Sequence, residues 1–274
     1  MKRSKITILL AIVLGMTFHS CLDLEPQDQL GGKNMWTSVN DYKQFANTFY
    51  SWTRDFSSVV YDGTHSDKRS DLITYQSYNE FSRGINSIPS SDANYTDNYK
   101  HIRRTNLLLQ NAEAYAKPED IKQYIGEAYF FRAYSYFDLL QLYGDVIITK
   151  KPLDITDPEM KVKRNDRSEV VDLIIDDLNH AVENLPAFKE LTTEEEGRIS
   201  KEGAQAFLSR VALYEGTWQK SRNGNQNTQR SANLLDIAAK AARTVIDAKY
   251  GYTFRLFGTD SETKILGDSA QKYM

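Results

Sequence analysis

The stretch Glu127-Ala128-Tyr129-Phe130-Phe131-Arg132-Ala133-Tyr134-Ser135-Tyr136-Phe137-Asp138-Leu139-Leu140-Gln141-Leu142-Tyr143-Gly144-Asp145-Val146 decides the fold. A surface helix repeats its apolar residues at three- and four-residue steps and leaves the opposite side wet. Here residues 128–142 are apolar or aromatic on nearly every side, with Phe130, Phe131, Tyr134, Tyr136, Phe137, Leu139 and Leu140 spread around the axis. A helix of that kind belongs inside a stack, touched on several faces. Pro118 suits the start of this helix and Gly144 its end, so the pattern predicts a helix over 119–143.

Working outward, apolar residues recur with helical period in five further segments. Ser38 can cap a helix to about Trp52, with Val39, Tyr42, Ala46, Phe49 and Thr53 on one face. The period resumes near Tyr95, with Tyr99, Ile102, Asn106 and Leu109 in line. Asp166 or Ser168 opens the next helix, whose stripe is Val170, Val171, Ile174, Ile175, Leu178, Ala181, Val182 and Leu185. Its acids Asp172, Asp176, Asp177 and Glu183 are expected on the wet side. Ser200 opens another, with Ala204, Phe207, Leu208, Val211, Ala212 and Trp218 inward. The last spans about 232–249, with Leu234, Leu235, Ala238, Ala241, Ala242, Val245 and Ile246, and stops near Gly251. Small residues within the stripes let helix axes approach closely, as in tetratricopeptide-type hairpins. No strict 34-residue period is present. The expected fold is therefore all-α, a tetratricopeptide-like helix-pair superhelix with long irregular loop insertions. A superhelix needs a cap on its last apolar face, and no partner for the 232–249 helix is evident before Met274.

Composition agrees. The 274 residues include 6 Pro and 14 Gly, about 2% and 5%, both under ordinary usage of ~5% and ~7%. Few breakers favour long helices over a many-turned β fold. Aromatics at 12% argue against disorder. The net charge of −3 leaves no basic footprint for nucleic acid. A single cysteine excludes an intramolecular disulfide and a cysteine-cluster metal site.

The N-terminus is an address. Lys2, Arg3 and Lys5 precede the apolar run Ile6 to Met16, too short to span a bilayer but suited to a secretory signal. Cys21 follows directly, behind the small Ser20, and resembles the cysteine of a bacterial lipobox, whose thiol is acylated after cleavage. The organisation expected is a signal peptide at 1–20, a lipidated tether at 21–37 and a helical domain at 38–274. Removal of residues 1–20 takes three of the 34 cations and no acid, leaving 31 against 37 and a net charge of −6. That balance disfavours adhesion to anionic lipid, so attachment falls to acyl chains.

Six motifs in fixed order carry a family resemblance. They are Cys21 with the downstream Pro26; Tyr99-x-x-Ile102-x-x-x-Asn106; the 127–146 run; Ile174-Ile175-Asp176-Asp177-Leu178-x-x-Ala181-x-x-x-Leu185-Pro186; and Gly197-Arg198-Ile199-Ser200-x-x-Gly203-Ala204 with its continuation to Tyr214, followed by Ala238-x-x-Ala241-Ala242-x-x-Val245-Ile246. Together they resemble the SusD/RagB-like nutrient-binding lipoproteins over nearly everything after the signal. The resemblance implies a protein lipid-anchored at the surface of the outer membrane in Bacteroidetes-type bacteria. It also implies binding of an oligosaccharide or other nutrient, and a place as lid on a TonB-dependent (SusC-like) β-barrel transporter. Family chains run well past the length seen here, so the chain reads as the N-terminal portion of such a protein. Within the 127–146 helix, Arg132 and Asp138 are expected to tie helices together.

A sugar offers a C–H face to an aromatic plate and a hydroxyl rim to planar polar groups. Residues 54–94 lose helical period, and a loop of that length in a compact protein is usually functional when rich in aromatics. Within it, Asp67, Arg69 and Asp71 supply acceptors and a fork donor, Tyr75 or Tyr78 a platform, and Asn79 an amide. These six residues are the candidate glycan site. Trp36, Trp52 and Trp218 are expected to be buried instead. Nothing selects a catalytic pair among 37 acids. Phosphate loops, a Gly-x-Ser-x-Gly elbow and a zinc helix are missing, as is EF-hand spacing around Asp62, Asp67 and Asp71. The histidines, at 19, 65, 101 and 180, are scattered. The reading is a non-catalytic binder that needs no cofactor or metal, with a ligand-free helical scaffold as the alternative.

Overall fold

The computed structural model describes residues 35–54, 80, 82–222 and 228–254. The chain divides at Ser38, and the helical unit begins at Val39. Among the described residues six α-helices run in order: α1 (Val39–Asn47, continued as a 3-10 turn over Thr48–Trp52), α2 (Ala93–Ala112), α3 (Lys122–Tyr143), α4 (Arg167–Asn184), α5 (Lys201–Arg222) and α6 (Thr228–Ile246). The described residues contain no strand, only a single antiparallel bridge between Val146 and Asn165.

Local chemistry sets the boundaries. Asp92 caps α2 by accepting the Asn94 N–H at 2.9 Å. Pro118 opens a 3-10 turn that leads into α3. Gly144, at φ 73°, ends α3 by returning its N–H to Leu140 O at 3.0 Å, a backbone conformation that side chains resist. Asp166 precedes α4, and its N–H donates to Glu169 Oε2 at 3.2 Å. Ile246 ends α6 facing solvent, 68% exposed, where the apolar pattern placed it inward.

Each helix from α2 to α6 packs on the next, and α1 lies against α2 and α3. The long aromatic helix α3 is consequently central. Phe131 meets Phe49 of the 3-10 turn at 5.7 Å, while Phe130 and Phe137 meet Phe207 of α5 at 5.4 and 5.5 Å. Close crossings depend on missing side chains. A Cβ on Gly126 would fall 2.9 Å from Leu185 Cγ, and one on Gly216 3.0 Å from Leu235.

Three charged residues of α3 key it to its surroundings. Glu127 and Asp138 are 11 residues apart, three turns plus 20° at 100° per residue, so they share a face. Glu127 accepts a bidentate fork from Arg198 at 2.8 and 2.6 Å, and Arg198 also donates to Asn47. Asp138 pairs with Arg54. Arg132, on another side, forks onto Asp177 of α4 at 2.8 and 2.6 Å and donates to Asn106 of α2 at 2.8 Å. Both partners are buried, Asp177 completely, so this acid lies inside the stack and not on its expected wet face. Arg132 and Asp138 do tie helices together, as their place in the aromatic run implied.

Burial pushes the Asp177 carboxyl up while the Arg132 guanidinium pulls it down. Removing one partner therefore strands the other. Arg132→Met is expected to cost about 3–5 kcal/mol in urea denaturation, and Arg132→Met with Asp177→Leu distinctly less than that single change. Equal losses for single and double variants would show that the pair is not what orders these helices.

Candidate functional site

Arg54 is where the 54–94 segment leaves the helices, and Ala93 and Asn94 are where it rejoins them. Between these two points lies a pocket of about 170 Å³ lined by Trp52, Arg54, Asn94, Asp97, Asn98, His101, Tyr134 and Asp138, with Ala93 at its edge. Its polar rim is ordered. Arg54 pairs with Asp138, whose Oδ2 also accepts the Asn98 amide at 2.8 Å. Asn98 in turn donates to the Asn94 carbonyl at 2.8 Å.

The aromatic wall is built by the 3-10 turn and α2. Trp52 stacks on His101 with centroids 4.1 Å apart and planes at 15°, and meets Phe131 edge-on at 5.9 Å. Burial against the indole pushes the His101 pKa down to about 4, and the Arg104 and Lys100 cations reinforce the shift against the pull of Asp97. His101 is thus neutral near pH 7. The pocket offers a carboxylate, a guanidinium, an amide and aromatic surface side by side, the groups that hydroxyls and C–H faces seek. Its volume falls below the ~300–1,000 Å³ of ligand clefts, so alone it can hold only one end of a ligand.

The match to a family described as starch-binding and associating with outer membrane runs over residues 22–213. The chain belongs to the SusD-like family. It is 28% identical over 233 residues to SusD-like protein P38 of Formosa agariphila, covering 78% of this chain and 42% of that protein. SusD-like protein P2 of the same organism is 28% identical, with 81% and 45% covered. A SusD-like crystal structure from Bacteroides fragilis superposes with a TM-score of 0.64 at 24% identity, covering 87% of this chain and 43% of that one. A laminarin-binding SusD-like protein superposes at 0.51 with 28% identity over 64% of this chain and 35% of that one. The chain thus spans less than half the length of these relatives.

Of the site residues inferred from the sequence of this SusD-like chain, Asp67, Arg69, Asp71, Tyr75, Tyr78 and Asn79 lie outside the described residues, as does Cys21. Trp36, Trp52 and Trp218 are half-buried, not fully covered. Sequence reasoning missed Asn94, Asp97, Asn98 and His101 as a group, although their spacing puts them on one face of α2. The described residues hold no cluster of three metal-ligating side chains, and none of their helices is long and apolar enough to cross a membrane.

The stack makes His101 a reporter of this pocket. An NMR titration of its imidazole is expected to give a pKa near 4. Trp52→Ala should return it toward the ordinary 6.5 by readmitting water. Protonation then follows the unfolded chain's higher pKa, so His101 contributes stability above pH 6.5 that fades as pH falls to 4. A titration near 6.5 in the intact protein would mean that the stack does not form.

Proposed function

We propose that this SusD-like chain is the helical part of a non-catalytic surface lipoprotein that captures a glycan and delivers it to a TonB-dependent β-barrel transporter. The observation that carries the reading is the aromatic-walled, carboxylate-rimmed pocket between Arg54 and Asn94, in a chain of a family described as starch-binding. The loop supplies the rest of the site. Tyr75 or Tyr78 takes the sugar's C–H face, Asp67, Asp71 and Asn79 accept or bridge hydroxyls, and Arg69 donates a fork. The laminarin-binding relative supports a polysaccharide-derived ligand.

Cys21 carries the acyl anchor, and residues 22–37 tether the helical body at the cell surface. The helical stack serves as scaffold and transporter-facing surface. Capture on the loop face shifts a lid from open to closed, driven only by the ligand's higher affinity for the closed arrangement.

Protein lacking the anchor is expected to be retarded in gels cast with its polysaccharide. Tyr75→Ala with Tyr78→Ala, or Asp138→Asn, should weaken binding about tenfold, near 1.4 kcal/mol. A large barrel protein should co-purify with the native lipoprotein in mild detergent. Absence of retardation across a broad glycan panel, with no barrel recovered, would leave a ligand-free scaffold. Release of reducing sugar would overturn the non-catalytic reading.

A further inference from the structure

A second cavity lies on the opposite face of α2 from the Trp52 pocket. At 100° per residue, Tyr95, Tyr99 and Arg103 point away from Asn94, Asn98 and His101. The cavity holds about 460 Å³, within the range of small-molecule clefts. Tyr95, Tyr99, Ile147 and Leu153 form its walls, and Ile155 and Met160 its lip. The lip residues are 93% and 51% exposed, an unusual display of neighbouring apolar side chains.

The wall is preformed. Beyond the single backbone bridge from Val146 to Asn165, the segment is pinned by side chains. Tyr99 exchanges hydrogen bonds with the Ile147 carbonyl and N–H at 2.8 and 2.9 Å. Tyr136 Oη accepts the Thr149 N–H at 2.8 Å, and Asn106 donates to the Thr149 carbonyl at 2.9 Å. The lip is its own turn, with the Asp154 N–H on Asp157 Oδ2 at 2.8 Å and the Met160 N–H on Asp157 O at 3.0 Å.

Charge at the rim runs against that of the whole chain. Lys100, Arg103 and Lys151 face the cavity with Glu159 as the one acid among its lining residues. Residues 150–164 carry Lys150, Lys151, Lys161, Lys163 and Arg164 against Asp154, Asp157 and Glu159, in a protein of net charge −3. Each rim cation has an acid partner: Asp97 at 2.7 Å from Lys100, Asp154 at 3.8 Å from Arg103 and Glu159 at 2.9 Å from Lys151. All three pairs are exposed, a class that contributes little, so an incoming anion can replace an acid partner at small cost.

From the preformed apolar walls and this cationic rim we propose that the cavity binds a small amphipathic anion, an apolar chain or ring system ending in a carboxylate or sulfonate. The apolar body lies between Tyr95, Tyr99 and Leu153 under the Ile155 and Met160 lip, and the anionic end meets Arg103 and Lys151. The accessible lining is mainly apolar and shares no residue with the Trp52 pocket, so the site is separate from the glycan pocket and does not depend on it.

The test is fluorescence titration of the full chain with 8-anilinonaphthalene-1-sulfonate, followed by displacement with octanoate and with neutral octanol. The expected result is saturable one-to-one binding that octanoate displaces at least tenfold better than octanol. Ile155→Asp with Met160→Asp should weaken binding more than tenfold. Arg103→Gln with Lys151→Gln should erase the preference for octanoate while leaving octanol unchanged. All four residues are exposed or at the rim, and unchanged near-ultraviolet circular dichroism confirms each variant's fold. Failure of the wild type to bind, equal displacement by octanol, or full binding by the lip variant would each overturn the proposal. None of these results would touch retention on polysaccharide, which reads the other pocket.

Discussion

The buried fork between Arg132 and Asp177 is the constraint around which the helices are arranged. Two opposite charges taken out of water are tolerated only if nearly every polar atom finds a partner, and here the geometry supplies them. Arg132 also donates from Nη1 to Asn106, and Asn106 spends its amide on the backbone at Thr149. One network thus fixes α2, α3, α4 and the segment after α3 in a single register. A slip of one residue anywhere along α3 would strand a buried guanidinium. Glu127 with Arg198 repeats the device toward the start of α5, and Arg167 with Glu215 repeats it between α4 and α5, where Arg167 also lies 4.2 Å over Trp218.

This arrangement explains why an almost uniformly apolar helix has a defined orientation. Aromatic packing alone is indifferent to rotation of a helix that is greasy on every side. The ion pairs select one rotation, and Gly126 and Gly216 then set how closely the neighbouring helices approach. The two pockets follow from the same choice. Asp138, held on the face shared with Glu127, is placed beside Arg54 and Asn98, while Tyr136 and Asn106 are placed to clamp the wall of the apolar cavity.

Much of the fold was legible because helical period and residue size speak directly about burial. The aromatic run, its stop at Gly144 and the start at Asp166 needed nothing beyond local rules. Asp177 was misplaced because its charge was allowed to outweigh its position. At 100° per residue it falls in the middle of the stripe defined by Val170, Ile174 and Ala181. Glu215 falls likewise within the stripe of Ala204, Leu208 and Val211. An acid at a core position of the period signals a buried partner, and that signal was present. The pocket beside Trp52 was not legible in the same way, since the Trp52–His101 stack joins residues 49 positions apart with no shared motif. Tyr99 and Asn106, marks of the helical period and of the resemblance, prove to be the clamps on the segment after α3.

The central proposal is that ligand is taken on the face where Arg54 and Asn94 meet the stack, not along the surfaces of α4 to α6. Hydrogen–deuterium exchange of the intact chain with and without a retained oligosaccharide tests it most directly. The expected result is slowed exchange across residues 54–101, with α4 to α6 unchanged. Slowed exchange confined to α4, α5 and α6, or none anywhere despite binding, would contradict it.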